Sequence, residues 1–335
     1  MGKSSSPSVT RFHRLGTSDL NVSALGLGCM SFSGVYGPCE DVDGASVIKA
    51  ALDAGINFFD TADMYGWGHN ESLVGAAIAG LNRDIFLATK FGHVRTPAGK
   101  TVINGRPDYV FSACDASLQR LKVDHIDLYY QHRVDPQVPI DETVDAMAQL
   151  VKKGKVRAIG LSEARPETIR RAHKIYPLTA VQMEYSLLYR TEAEEVLATT
   201  RELGIAFVAY SPLGRGLLTG AIQSTEDVAG DRRAEHPRFD IENFAHNRRL
   251  ADRVAAMAKA KGCTTAQLAL AFILAQGDDV TPIPGTKKIE RLMENIGALA
   301  VELDSAEMEE LATMIPRDAA AGERYPEAAL KNAYL

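Results

Sequence analysis

The stretch Ser23-Ala24-Leu25-Gly26-Leu27-Gly28-Cys29-Met30-Ser31 decides between two ways of folding an α/β chain. A doubly wound sheet that binds a dinucleotide carries Gly-x-Gly-x-x-Gly at the turn leaving its first strand. Here Gly26-Leu27-Gly28 is followed by Cys29-Met30-Ser31, with no third glycine in place. The closed alternative is therefore favoured, and the rest of the chain supports it. With 23–28 counted first, short apolar runs recur at 56–61, 85–91, 126–131, 156–161, 180–185, 205–211 and 280–284, eight in all.

Between these runs lie helical patterns at 44–54, 70–80, 107–121, 141–153, 166–175, 192–203 and 288–299. In the first of them Val47, Ile48, Ala51 and Leu52 share one face before Gly55, and Gly154 and Gly204 fall at C-cap positions. Two further helices, over 243–261 and 264–276, precede the eighth run, the second opening with the capping box Thr264-x-x-Gln267. Another follows at 305–315. Strands apolar along their whole length and separated by helices require a parallel sheet covered on its outer face. Eight such units with right-handed crossovers close into a (β/α)8 TIM barrel. The prediction is an α/β chain read as one domain over 1–335. It comprises a disordered tail over 1–10, a hairpin over 11–22 turning at Gly16-Thr17-Ser18-Asp19, the barrel over 23–299, and a C-terminal helix and tail over 300–335.

The 335 residues are 46% hydrophobic and 24% charged, an ordinary globular balance, and the net charge of −6 argues against nucleic acid or an anionic membrane as partner. No apolar run is long enough to span a bilayer. The opening Met1-Gly2-Lys3-Ser4-Ser5-Ser6 lacks the apolar core of a signal peptide, and its match to the myristoylation pattern is read as a Ser-rich tail. Cys29, Cys39, Cys114 and Cys263 show no Cys-x-x-Cys spacing, and no His-Glu-x-x-His occurs, so reduced thiols, a cytoplasmic location and no metal site are expected.

In a barrel the chemistry sits at the C-terminal ends of the strands. The second strand ends at Asp60, with Tyr65 in the following loop; the third ends at Lys90 and the fourth at His132. Singly, each has an ordinary structural reading, as a strand-end acid, a rim lysine or a satisfied histidine. Together, four ionisable groups from three consecutive strands cost desolvation that a barrel without chemistry would avoid. A phenol is a weak acid near neutrality; a neighbouring Lys90 charge lowers its pKa, and Asp60 keeps that lysine charged. Tyr65 then donates a proton and His132 orients a carbonyl oxygen gaining charge. That is carbonyl reduction, and since none of these side chains supplies hydride, a nicotinamide cofactor is implied.

The motifs Phe59-Asp60-Thr61-Ala62-Asp63-Met64-Tyr65-Gly66, Thr89-Lys90, Gln131-His132, Gly160-Leu161-Ser162, Gln182-Met183-Glu184-Tyr185-Ser186, Tyr210-Ser211-Pro212-Leu213 and Ile283-Pro284-Gly285-Thr286 resemble, in order and spacing, those of the aldo-keto reductase superfamily. The resemblance runs from about Leu15 to Leu299 and is nearest to plant and bacterial reductases carrying Gly-Leu-Ser-Glu-Ala and Ile-Pro-Gly-Thr, and more distant from potassium channel β subunits. It implies a catalytic tetrad of Asp60, Tyr65, Lys90 and His132 in an NAD(P)H-dependent enzyme of the alcohol dehydrogenase type. It also implies that Ser162 and Gln182 hold the nicotinamide carboxamide, that Tyr210 stacks on the ring, and that Ser211, Leu213 and Gly216 approach the pyrophosphate. Gly285 and Thr286 belong to the same cofactor set. The chain departs from many members at Gly285, often lysine, and at Glu163, often asparagine.

Lys287, Lys288 and Arg291 stand at the start of the helix after the eighth strand, where free N–H groups already favour an anion. With Arg291, Glu294 and Asn295 placed by the resemblance at the adenosine end, NADPH is expected over NADH. Trp67 and Phe91 are candidate walls of a small-molecule carbonyl pocket, and the long 215–243 loop is a candidate cover. Two other readings compete with reduction: a redox-sensing subunit that binds cofactor with little turnover, and a Schiff-base aldolase using Lys90, which requires an unprotonated lysine.

Overall fold

The computed structural model describes residues 7–335, so the Met1–Ser6 pattern lies outside the described residues. Twelve strands and eleven α-helices follow one another with several short 3-10 turns among the described residues. The antiparallel pair β1 (Phe12–Arg14) and β2 (Asn21–Ser23) forms the expected hairpin, with Phe12 opposite Ser23. Leu15, Leu20 and Val22 of this hairpin pack against Phe58, Phe86 and Leu128, and so stopper the N-terminal end of the barrel. The tail expected over 1–10 does not extend to Val9, which is buried and donates its N–H to Ala54 O at 2.7 Å.

The barrel strands are β3 (Leu27–Gly28), β4 (Phe58–Asp60), β5 (Phe86–Phe91), β8 (Ile126–Gln131), β9 (Val156–Ser162), β10 (Ala180–Glu184), β11 (Ala206–Tyr210) and β12 (Val280–Pro282). They lie side by side in chain order and every ladder is parallel. Closure comes from two backbone bonds across the seam, Gly26 N–H to Pro282 O at 3.0 Å and Gly28 N–H to Pro284 O at 3.3 Å. The glycines quoted at the outset are thus seam residues: a Cβ on Gly28 would lie 2.8 Å from the Ile283 carbonyl oxygen. Gly285 has the same constraint from the other side, 2.8 Å from Gly28 O.

Helices α1 (Asp41–Asp53), α2 (His69–Ile78), α3 (Pro107–Leu121), α4 (Ile140–Lys152), α5 (Pro166–Ile175) and α6 (Thr191–Leu203) cover the outside. Their apolar faces meet the outward strand residues in one continuous core. As expected, two helices, α7 (Ile241–Lys261) and α8 (Thr265–Leu274), separate β11 from β12, and Thr264 and Gln267 cap the second reciprocally. The chain then runs through α9 (Ile289–Ile296), α10 (Ser305–Met314) and a short α11 (Glu327–Leu330). One element escaped the sequence reading: a second hairpin, β6 (His93–Arg95) with β7 (Thr101–Ile103), rises from the end of β5. The long loop is not featureless either, since 3-10 turns at Gly214–Thr219, Thr225–Val228, Arg232–Glu235 and Pro237–Phe239 fold it onto the barrel mouth.

The seam sets a testable constraint. Gly28→Ala places a methyl against backbone that cannot rotate away, and is expected to cost about 1–3 kcal/mol, read as an earlier denaturant midpoint; an unchanged midpoint contradicts the close approach.

Candidate active site

Side chains alternate between the two faces of a strand, so residue parity sorts the barrel interior from its helical coat. Phe58, Phe86, Ala88, Leu128, Tyr130, Ala158, Ala180, Ala206 and Val208 fill the interior. Two residues beyond the last of these on each strand, the same face carries Asp60, Lys90, His132, Gln182 and Tyr210, with Ser162 reached through Gly160. Parity and strand length together bring six of the expected residues to the C-terminal mouth. Asp60, Lys90, His132, Ser162 and Gln182 are all buried there.

Lys90 is the hub. Its Nζ donates to Asp60 Oδ1 at 2.5 Å, to Thr61 O at 2.8 Å and to the Tyr65 hydroxyl at 3.3 Å. The second Asp60 oxygen accepts from Gln182 Nε2 at 2.7 Å, so the carboxylate is held from both sides. His132 stands edge-on to Tyr65, ring centroids 5.8 Å apart, and edge-on to His93 at 4.8 Å. Burial works against the Lys90 charge, but Asp60 and the Tyr65 oxygen outweigh it and hold its pKa above the ordinary lysine value. Burial drives the His132 pKa well below the ordinary imidazole value, and His93, Arg133 and Lys90 push the same way, so the ring is neutral.

For Tyr65 the shift is opposite in sign to the one expected from sequence. Burial raises the phenol pKa above its ordinary value, and the Lys90 charge only moderates that rise. Tyr65 is consequently a fully protonated donor at neutral pH, with Lys90 placed to stabilise the oxygen once its proton leaves.

A cleft of about 290 Å³ runs from Asp60 and Tyr65 past Gln182 and Tyr210 to Lys288 and Arg291. Ser211, Leu213, Gly216, Gly285 and Thr286 also line it. The turn after β11 is contorted: Ser211 and Arg215 take left-handed backbone at φ 49° and 56°, and Gly216, at φ 101°, packs so closely on Ile222 that a Cβ there would lie 2.9 Å from its side chain. Ser162 Oγ is buried and has no hydrogen-bond partner. Not all the expected residues meet this cleft. Lys287 lines it but spends its ammonium on the carbonyls of Tyr36, Gly37 and Pro38, at 2.8, 3.2 and 2.9 Å, so it ties down a loop. Glu294 accepts from Arg291 at 2.6 Å, and Asn295 is buried in α9; neither lines the cleft.

Of the two pocket walls proposed from sequence, Phe91 is misplaced. One residue past Lys90, it faces outward by parity and stacks on Tyr129, centroids 4.9 Å apart, within the coat. Trp67 is exposed, in left-handed backbone at φ 53°, with the Arg95 guanidinium 4.4 Å over its ring. The sequence reading missed a buried charge network beside the cleft. Glu184, inward at the end of β10, accepts a bidentate pair from Arg215 at 2.8 and 2.9 Å. Glu163 accepts from Arg324 of the C-terminal tail at 2.5 Å and from the Tyr210 hydroxyl at 2.8 Å. Parity would have flagged Glu184; nothing local to Arg324 signals its partner.

The comparisons agree with this fold. The model of the Aldo/keto reductase family matches residues 24–315. The chain is 51% identical over 314 residues to a probable aldo-keto reductase 1 from Glycine max, covering 93% of this chain and 91% of that one. Its structure is similar to that of the glycerol dehydrogenase AKR11B4 from Gluconobacter oxydans, with TM-score 0.83, 30% identity and coverage of 90% and 94%. It is also similar to the holo form of the aldo-keto reductase AKR11C1 from Bacillus halodurans, with TM-score 0.74, 30% identity and coverage of 94% and 99%. The chain belongs to the aldo/keto reductase family, a family of oxidoreductases acting on small carbonyl compounds with nicotinamide cofactors.

Beneath the catalytic-end loop lies a second acid whose titration is measurable. Asp63 donates its backbone N–H to Lys90 O at 3.0 Å. Burial and the neighbouring Glu71 carboxylate push the Asp63 pKa from 3.8 to about 8. The folded protein therefore holds a proton here that the unfolded chain has released, and stability falls as pH rises from the unfolded value through about 8. Asp63→Asn, uncharged and similar in size, is expected to flatten this part of the melting-temperature profile and to be the more stable form at alkaline pH. Parallel profiles for the two proteins would contradict the assignment.

Proposed function

We propose that the protein reduces aldehydes or ketones to alcohols with NADPH, Tyr65 acting as the general acid. The observation that carries this reading is the contact of Lys90 Nζ with both Asp60 and the Tyr65 hydroxyl at the floor of the cleft. The cleft also fits a nicotinamide dinucleotide: Ser162 Oγ is a buried polar atom without a partner on the strand position paired with Gln182, which lines the cleft, and Gly216 lines the cleft where a diphosphate would lie. When bound, the reduced cofactor supplies a hydride to the carbonyl carbon.

The chain's own residues do the rest. His132, neutral, directs a ring nitrogen at the substrate oxygen and fixes its approach. Negative charge gathers on that oxygen as the carbonyl carbon is reduced, and the Tyr65 O–H bond breaks to deliver the proton. Lys90 stabilises the resulting phenolate, and Asp60, braced by Gln182, keeps Lys90 charged and in position. The proton count balances once Tyr65 is reprotonated from solvent. Ser162 and Gln182 would hold the carboxamide of the cofactor, and Lys288 with Arg291 would meet a 2′-phosphate. A Schiff-base mechanism is disfavoured, because Lys90 has its pKa raised, opposite to what a nucleophilic amine requires. The free cysteines suit a reducing compartment, and a cytoplasmic location is part of the proposal; no described helix is long and apolar enough to cross a membrane.

Tyr65→Phe is expected to bind NADPH normally and to lose about 10²–10⁴-fold in kcat, the range for removal of a positioned general acid; near-normal turnover would remove Tyr65 from the mechanism. For the cofactor, Arg291→Ala is expected to raise the KM for NADPH about tenfold, the loss of a charge-assisted phosphate contact, and to leave that for NADH alone. Equal effects on both nucleotides would mean that Arg291 reads something other than the 2′-phosphate.

A further inference from the structure

The C-terminal tail enters the site through one residue. Arg324 is 3% exposed although it lies in a segment without regular structure. Its guanidinium donates to Glu163 Oε2 at 2.5 Å and to the Tyr210 hydroxyl at 3.3 Å. The Tyr210 hydroxyl in turn donates to Glu163 Oε1 at 2.8 Å and stands 2.8 Å from the Tyr325 hydroxyl. Three side chains thus form a closed ring of hydrogen bonds, Glu163 at the loop after β9, Tyr210 at the end of β11 and Arg324 from the tail, and Tyr325 from the tail is attached to it through the Tyr210 hydroxyl. The tail is held at its far end as well, where Leu335 N–H donates to Glu163 O at 3.1 Å and Arg165 N–H donates to Leu335 O at 2.8 Å. Burial pushes the Glu163 carboxyl up, and Arg324 and its other partners outweigh that, bringing it down to about 2.

Tyr210 lines the cleft, whereas Glu163, Arg324 and Tyr325 do not. The ring of bonds therefore reaches the cofactor side through the Tyr210 phenol. We infer that Arg324 and Tyr325 are positioning residues for the nicotinamide end of the cofactor: they fix the Tyr210 ring, and Arg324 neutralises Glu163, the residue that follows Ser162 in the chain. This rests on the reading that the cleft takes a nicotinamide dinucleotide. It also gives Glu163 a role that the asparagine common at this position would not have: an asparagine offers an amide, whereas Glu163 is committed to an arginine of the tail. The charge on Glu163 has a specific consequence. An oxidised nicotinamide ring is positively charged and a reduced one is neutral, so a Glu163 carboxylate stripped of Arg324 discriminates between them by charge.

The test measures dissociation constants for NADPH and NADP+ by quenching of protein fluorescence, well below the melting temperature. The proteins compared are wild type, Arg324→Met, the double variant Glu163→Gln with Arg324→Met, and Tyr325→Phe. Arg324→Met is expected to weaken NADPH about tenfold and NADP+ distinctly less. The double variant, which removes the stranded charge, is expected to restore the wild-type ratio of the two constants. Tyr325→Phe, which deletes one hydroxyl and keeps the fold, is expected to weaken NADPH by about threefold. Unchanged constants in Arg324→Met and Tyr325→Phe, whatever their melting temperatures, would overturn the inference. So would an equal loss for both nucleotides that the double variant fails to repair. A wild-type protein that binds neither nucleotide would sink the reading of the cleft itself, and is told apart by the first measurement alone.

Discussion

A lysine and an aspartate with almost no exposed surface share a hydrogen bond at the mouth of this barrel, and the arrangement of the site follows from that contact. Taking two such charges out of water costs several kcal/mol per ion, and their attraction repays this only where other donors and acceptors complete the shell. Here the shell is complete: Thr61 O and the Tyr65 hydroxyl take the remaining Lys90 protons, and Gln182 donates to the free Asp60 oxygen. Three strands and one loop are thereby committed to one geometry. Because a phenol is one of the acceptors, the group that satisfies the lysine is also the proposed proton donor.

The same logic recurs beside the cleft with different partners. Glu184 and Glu163 are buried carboxylates, and each is answered by a guanidinium, Arg215 from the turn after β11 and Arg324 from the tail. These pairs anchor the 3-10 turn after β11 and the irregular tail. Left-handed backbone at Glu163, Ser211 and Arg215 accompanies them, at φ 57°, 49° and 56°, strain that persists where surrounding contacts over-determine it. The rigid barrel supplies the proton network, and the ion-paired loops supply the walls of the cleft.

The barrel was legible in the sequence because its signal is local: eight short apolar runs, helical periodicity between them, and glycines at the helix ends. The convergence of Asp60, Lys90 and His132 at one mouth followed from where those runs stop. What local pattern could not show was orientation one residue at a time and pairing across the chain. Lys90 and Phe91 are neighbours, yet one faces the site and the other the helical coat, and only strand parity separates them. The Glu163–Arg324 pair spans 161 residues of sequence, and no periodicity connects them. Lys287 illustrates a third limit. A basic residue at a helix start suggests a phosphate, but three backbone carbonyls of a loop about 250 residues earlier claim its ammonium first. The sign of the Tyr65 pKa shift was misjudged for a related reason: the effect of one neighbouring charge can be argued from sequence, whereas the burial that outweighs it cannot.

The central claim is that a protonated, buried tyrosine backed by a charged lysine delivers the proton in carbonyl reduction. Its most direct test follows NADPH consumption with a panel of simple aldehydes and ketones across a range of pH. The account predicts multiple turnovers with at least some of the panel. Because His132 is already neutral and Tyr65 stays protonated, kcat should show no step through the ordinary histidine range and should fall only on the alkaline side. No NADPH consumption with any carbonyl, or a rate that tracks an ionisation in the histidine range, would contradict it.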